Sequence, residues 1–201
     1  MLANQAIRLA CRRIFLTKEE LTNVETFCQR IQDKQNKDGS RDNRRNDTGE
    51  FRIMNGMIGK LGEVGASKLF GGAVDFRVWG TGVRGLDQFE PDLAKTQSPY
   101  RFHVKTCHIK HTERRGNAFY PLPTASWTVD VSDPVMRNPQ KSDILVLMFA
   151  SNGGSVSYLG YVYAVDMKGF WKPCLAETLS HKRAIYIPDI EPYVYQTTEL
   201  K

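Results

Sequence analysis

Glu90-Pro91-Asp92 and His103-Val104-Lys105, separated by the ten residues Leu93 to Phe102, fix the reading of this chain. A carboxylate after proline suits a loop, and the intervening residues allow a turn or short hairpin before a strand begins. From Tyr100 onward the pattern alternates. Tyr100, Phe102 and Val104 fall on one face of that strand, and Arg101, His103 and Lys105 on the other. A half-buried strand therefore sets His103 and Lys105 side by side, next to the loop that brings in Asp92. An ammonium in such a strand is costly to bury unless it is paired, so Lys105 calls for a partner or a task.

Upstream, Gly59-Lys60-Leu61-Gly62-Glu63-Val64-Gly65-Ala66 places a further carboxylate, Glu63, inside a helical pattern. The helix is expected over Phe51 to Leu69, with Ile53, Met57, Leu61, Val64 and Leu69 facing the core and Gly71-Gly72 ending it. Gly56, Gly59, Gly62 and Gly65 recur at spacing three, at a cost of about 1 kcal/mol each against alanine. Such a stripe implies a very close approach, by the sheet or by a DNA backbone. Carboxylates on a loop and a helix, with a lysine on a strand, are the parts of metal-assisted phosphodiester hydrolysis. The carboxylates hold a hard cation, and the lysine steadies the attacking water and the developing charge.

In this order, Glu63, then Pro91-Asp92, then Val104-Lys105-Thr106, the sequence resembles the PD-(D/E)XK nuclease superfamily, the restriction-endonuclease-like fold. The likeness covers about Asn55 to Val165. It implies a restriction-endonuclease-like core with N-terminal helices, cutting DNA with Mg2+ or, alternatively, Mn2+. Glu63, Asp92, His103 and Lys105 would be its catalytic residues, and Glu63, Asp92 and the Val104 carbonyl its metal ligands. At one position the chain departs from the pattern. Two residues before the lysine the family has Asp or Glu, and here stands His103. His103 either replaces the carboxylate as an imidazole ligand, favouring manganese, or hydrogen-bonds a phosphate or the attacking water. The second fits magnesium's preference for oxygen and is favoured. Asp75 and Asp87 are weaker acid candidates.

The chain's 201 residues carry a net charge of +6, 41% apolar and 25% charged residues, as in an ordinary globular protein with a polyanionic partner. Its cations are clustered. Arg41, Arg44, Arg45 and Arg52 lie in one polar stretch, and Lys110, Arg114 and Arg115 follow the Lys105 strand with a single acid, Glu113, among them. Arg41, Arg44, Arg45, Lys110, Arg114 and Arg115 are the candidate nucleic-acid contacts. Gln32 to Glu50 is too polar to order itself, so it is either a solvated linker or a basic loop that orders on DNA. No apolar run approaches a membrane span, and Met1 to Gln5 lacks a signal-peptide layout. Four scattered cysteines imply free thiols in a reducing cytoplasm. Cys107, His108 and His111 would diverge along a strand, so zinc is rejected. Walker-type, Ser-His-Asp and dinucleotide-binding patterns are missing, and no aromatic platform for RNA is evident.

The remaining elements indicate an α/β domain, of α+β type with a mixed sheet. A short helix is expected within residues 1–16. Thr17-Lys18-Glu19-Glu20 is a capping box for a helix that fades near Asp33. Strands are expected over Val74 to Trp79, Ser126 to Val131, Val156 to Val165 and Ala184 to Ile187. Asp143 to Ala150, apolar almost throughout, reads as a central strand covered on both faces. Asn152-Gly153-Gly154-Ser155 is a hairpin turn, and Lys168 to Thr178 a candidate short helix. Residues 1–50 are assigned to an N-terminal helical arm and basic loop, and 51–201 to the nuclease-like domain. Cutting both strands of a duplex with one site per chain would call for a homodimer. A non-catalytic DNA binder with a decayed metal site is the alternative.

Overall fold

The computed structural model describes residues 7–37, 49–76, 91–175, 179–196 and 200. In chain order its elements are β1 (Arg12–Ile14), α1 (Lys18–Lys37), α2 (Gly49–Phe70), β2 (Ala73–Val74), β3 (Leu93–Ala94) and β4 (Arg101–His108). They continue with β5 (Thr112–Arg115), β6 (Ala118–Pro121), β7 (Ser126–Asp130), α3 (Pro134–Arg137), β8 (Asp143–Ala150), β9 (Val156–Tyr163), β10 (Lys172–Pro173), β11 (Lys182–Tyr186) and α4 (Ile187–Ile190). The fold is α+β, with a mixed central sheet.

That sheet has the order β1-β9-β8-β4, and every residue of β8 is buried in its middle. β8 runs parallel to β4 and antiparallel to β9. Its two faces feed two cores. Ile144, Val146, Met148 and Ala150 pack with Phe102, Val104 and the apolar stripes of α1 and α2. Leu145, Leu147 and Phe149 pack on the other side with Trp127, Val129, Ile185, Ile187 and Ile190. A second sheet, β10-β11-β7, lies on that side, and the Trp127 indole N–H donates to the Met148 carbonyl at 3.0 Å to tie the layers. A strand covered twice has no polar phase, which is why β8 lacks alternation.

The capping box forms as its sequence dictates. The Thr17 N–H donates to Glu20 Oε2 at 2.6 Å, and the Glu20 N–H donates to Thr17 Oγ1 at 3.1 Å. α1 packs Val24, Phe27 and Cys28 into the helix-side core, and Lys68 of α2 reaches Glu20 at 2.9 Å. α2 ends at Gly71 and Gly72, whose φ of 74° and 86° are the left-handed values of a C-cap. Of its expected core positions Leu61 and Val64 are buried, joined by Ile58 and Ala66, while Ile53 falls among side chains that are not described.

The glycine stripe has two different meanings along its length. A Cβ on Gly62 would lie 1.9 Å from Thr106 Oγ1, and one on Gly65 2.7 Å from Val156 Cγ1, whereas Gly56 and Gly59 face open space. The sheet therefore accounts for the C-terminal pair only. We expect Gly62→Ala and Gly65→Ala to destabilise by about 1–3 kcal/mol through overpacking. Gly59→Ala should instead stabilise by about 0.5–1 kcal/mol, as helix propensity alone dictates. Urea unfolding of the three variants checks this, and equal shifts for all would remove the close-packing explanation.

Three local expectations are corrected. The helix expected within residues 1–16 is not formed over the described part. Arg12–Ile14 instead pairs with Ser157, Tyr158 and Val156 of β9, and Cys11 bridges to Phe119. Strand pairing and burial of Ile7 and Ile14 override a local amphipathic pattern. β1 and α1 thereby join the shared core, although both come from the segment expected to form an arm. α1 does not fade at Asp33 but runs to Lys37, with the Gln29 side-chain amide donating to Asp33 Oδ1 at 3.0 Å. Lys168 to Leu175 holds no helix, because Lys172–Pro173 pairs with Ala184 and Arg183 of β11. Of the strand expected over Val74 to Trp79, Val74 pairs with Leu93, Asp75 and Phe76 lie outside the strand, and residues 77–79 lie outside the described residues. No helix among the described residues is long and apolar enough to cross a membrane.

Candidate active site

β4 is the edge of the central sheet, and the candidate residues gather along that edge. The loop entering β3 lies against it. The Asp92 N–H donates to the Phe102 carbonyl at 2.9 Å, and Asp92 Oδ2 accepts from the Val104 N–H at 2.6 Å. The carboxylate thus acts as a strand partner through Oδ2, and among the described residues no hydrogen bond engages its second oxygen. In a strand the N–H and C=O of one residue point to the same side, so the Val104 carbonyl faces the Asp92 edge and not β8.

Glu63 comes to this edge from α2, whose close approach at Gly62 sets the helix on Thr106. Its side chain is only 17% exposed, and Lys60, one turn earlier, donates to Oε2 at 2.5 Å. Lys60 is held on every side. It also donates to the Asp75 carbonyl at 2.9 Å and lies over the Phe27 and Phe76 rings, at 4.8 and 5.8 Å. Burial, and then the nearby negative charge of Asp92, push the Glu63 carboxyl up to about 8, against the opposing pull of Lys60 and Lys105. A buried carboxyl with a second carboxylate beside it is the kind of oxygen site that a cation would compensate.

That shift has a measurable consequence. With the folded value raised above the ordinary one, the protonated group stabilises the fold at low pH, and this contribution is lost as pH rises through about 8. We expect wild type to lose stability relative to Glu63→Gln between pH 5 and 9. A constant difference between their urea midpoints would show that Glu63 ionises as if exposed.

His103 and Lys105 share the face opposite Phe102 and Val104, as their spacing dictates. Lys105 Nζ lies 4.0 Å from Asp133 Oδ2, and Asp133 also caps α3 by accepting from the Val135 N–H at 2.9 Å. His103 is 3% exposed, with Nε2 3.3 Å from Asp143 Oδ1. Burial, then the Lys105 charge, hold its pKa below the usual histidine value, against Asp92 and Asp143, so the ring is neutral at pH 7.

The structure therefore brings Glu63, Asp92, Val104, His103 and Lys105 to one sheet edge. Sequence reasoning missed Lys60, Asp133 and Asp143. Lys60 had a signal, since i and i+3 share a helix face. Asp143, a charge at the head of an apolar strand, had a weaker one that gains meaning only from the register Arg101↔Asp143.

The basic candidates divide. Lys110 and Arg114 are exposed, in the turn after β4 and in the hairpin formed by β5 and β6, an element that the sequence pattern did not reveal. Arg115 is engaged internally: it pairs with Glu113, donates to the Ile7 carbonyl at 3.2 Å and lies 4.9 Å over the Tyr120 ring. Arg41, Arg44, Arg45 and Asp87 lie outside the described residues, and nothing is described of the Arg52 side chain. Cys107 is buried in the far core, and all four cysteines are free thiols.

Among the described residues, no group of three or more His, Cys, Asp or Glu side chains is disposed to hold a metal ion. Two carboxylates and a backbone carbonyl are a smaller set. It suits a hard cation that keeps several waters and takes its remaining oxygens from a phosphate. Comparison with protein-family models, with curated proteins and with solved structures finds no match.

Proposed function

We propose that this chain is a divalent-metal-dependent deoxyribonuclease, hydrolysing or nicking DNA at the edge of β4 in the manner of the restriction-endonuclease-like enzymes it resembles. The observation that carries the proposal is the pairing of Glu63 and Asp92 against the strand that bears Lys105. Glu63, the second oxygen of Asp92 and the Val104 carbonyl would hold Mg2+, with Mn2+ as the alternative ion. When bound, such a cation lowers the pKa of its water and offsets the charge of the scissile phosphate. Lys60 fixes Glu63, the Val104 N–H fixes Asp92, and Lys105 supplies a positive charge beside the phosphate. Lys110 and Arg114 would track the DNA backbone. A homodimer would cut both strands, and a reducing, cytoplasmic setting fits the free thiols.

The test is nicking of supercoiled DNA by wild type and Lys105→Ala, in magnesium, in manganese and in EDTA. Cleavage that needs a divalent ion and falls in the variant supports the reading. Retarded but uncut DNA, with equal affinity in EDTA, supports a DNA-binding protein with a decayed site. One observation favours that second reading: His103, standing where the family has a carboxylate, is turned to Asp143.

Arg41, Arg44 and Arg45 are assigned to phosphate contacts. Replacing all three with alanine should weaken DNA binding alike for every sequence and flatten its salt dependence by about 0.9 log unit for each phosphate no longer neutralised. Unchanged affinity at low salt would make Gln32 to Glu50 a linker.

A further inference from the structure

We propose that Tyr195 is a stacking platform for an unpaired nucleobase, and that this chain acts on DNA with a single-stranded segment beside the scissile phosphate. The second half rests on the nuclease reading given above, and the first does not.

Tyr100, Tyr161, Tyr163 and Tyr195 meet at the end of the central sheet where β4 and β8 begin and β9 finishes. The Tyr161 and Tyr195 rings are stacked, with centroids 5.3 Å apart and planes 19° from parallel. Tyr163 sets its ring nearly perpendicular to both, at 5.9 and 5.6 Å, and Tyr100 lies 6.1 Å from Tyr163. The rings come from separate stretches of the chain, so no local pattern announces the cluster. Tyr161 covers one face of the Tyr195 ring, yet Tyr195 is 48% exposed.

The platform is fixed before anything binds. Tyr195 exchanges both backbone hydrogen bonds with Tyr161, at 2.8 and 2.9 Å, and the Gln196 side-chain amide donates to the Ala10 carbonyl at 2.8 Å. A Cβ on Gly160 would lie 2.6 Å from the Tyr195 carbonyl oxygen, so a glycine in β9 admits this close approach. A ring held in place loses little freedom when a ligand stacks on it. It can stack only on a base that has left its own stack, which excludes the interior of an intact duplex.

Strand register ties the platform to the candidate site. Val104, Val146, Tyr161 and Tyr195 are successive partners across the sheet. Three strand spacings, about 14 Å, thus separate Tyr195 from Val104, whose N–H holds Asp92. A stacked strand covers that distance in about four nucleotides, at roughly 3.4 Å each. Lys95, in the loop that leads to Tyr100, and Arg101, the first residue of β4, are exposed cations suited to its phosphates.

The experiment is equilibrium binding of the full chain in EDTA, which removes metal-dependent cutting. The probe is a DNA duplex with a single-stranded tail carrying a fluorescent adenine analogue, compared with the blunt duplex. Wild type is expected to bind the tailed form about 5–100-fold more tightly and to quench the analogue, as one aromatic stack supplies. Tyr195→Ala should lose both effects, and Tyr195→Phe should keep both. If the alanine variant fails to fold, Tyr195→Leu keeps an apolar side chain on Tyr161 without a ring face and should lose both as well. Tyr193→Ala is the control and should bind as wild type, since Tyr193 is 44% exposed but packs on Phe170 outside the cluster. Equal affinity of wild type for the two duplexes overturns the proposal, as does undiminished tail binding by Tyr195→Leu. A stronger preference for the same tail made of RNA also overturns it. Should wild type hold and quench the tail but cut no DNA in magnesium, the nuclease reading fails and the platform stands.

Discussion

Asp92→Asn should abolish DNA cleavage while leaving the fold intact. Asparagine keeps the size of the side chain and an oxygen for the Val104 N–H, which donates to Asp92 Oδ2 at 2.6 Å. What it removes is the negative charge that pairs with Glu63 at the β4 edge. Even losing an outer-shell partner of a metal costs about 10–100-fold, so losing a ligand should cost more. Asp92→Ala makes the weaker test. It strands a partly buried N–H as well, which costs about 1–3 kcal/mol and mixes stability into the kinetics. Rates in saturating magnesium, beside thermal unfolding of each variant, separate the two effects. An asparagine variant cutting at near wild-type rate would take Asp92 out of the mechanism.

Phe102→Ala should give the largest loss of stability among single changes near the site, about 3–5 kcal/mol. The ring is fully buried and stacks on Phe70, with centroids 5.0 Å apart, so it couples the end of α2 to the start of β4. Its backbone carbonyl also accepts from the Asp92 N–H at 2.9 Å. Much of the roughly 5–15 kcal/mol typical of a domain would be lost, and cleavage should fail through unfolding at temperatures wild type withstands. Phe102→Leu, which refills most of the volume, should recover both stability and cleavage. A destabilisation under about 1 kcal/mol for the alanine variant would mean that α2 and β4 are not packed as described.

The contrast between these residues shows what the sequence could and could not convey. The alternation around Lys105 and the unbroken apolar run of β8 follow from local periodicity, and both strands form where expected. The capping box and the glycine pair after α2 are likewise local, and both form. Register is not local. That Asp143 stands beside Arg101, or that Asp133 reaches Lys105, depends on strands and turns distant in the chain. The same limit explains Arg12–Ile14, whose spacing suits a helix until β9 offers it a strand partner. The hairpin of β5 and β6 was hidden because Thr112 to Arg115 is polar and only half covered. His103 marks the limit of reading by motif. Its spacing placed it on the right face, but its partner came from another strand.

The most direct test of the central claim, that Glu63 and Asp92 at the β4 edge hold the divalent ion, is Mn2+ binding followed by electron paramagnetic resonance. The spectra would be taken at pH 7.5 with wild type and Asp92→Asn at equal concentration. The account predicts one ion per chain in wild type, displaced by excess magnesium, and at least about tenfold weaker binding in the variant. Equal manganese binding by the two proteins, or none by a wild type that still cleaves DNA in EDTA, would contradict it.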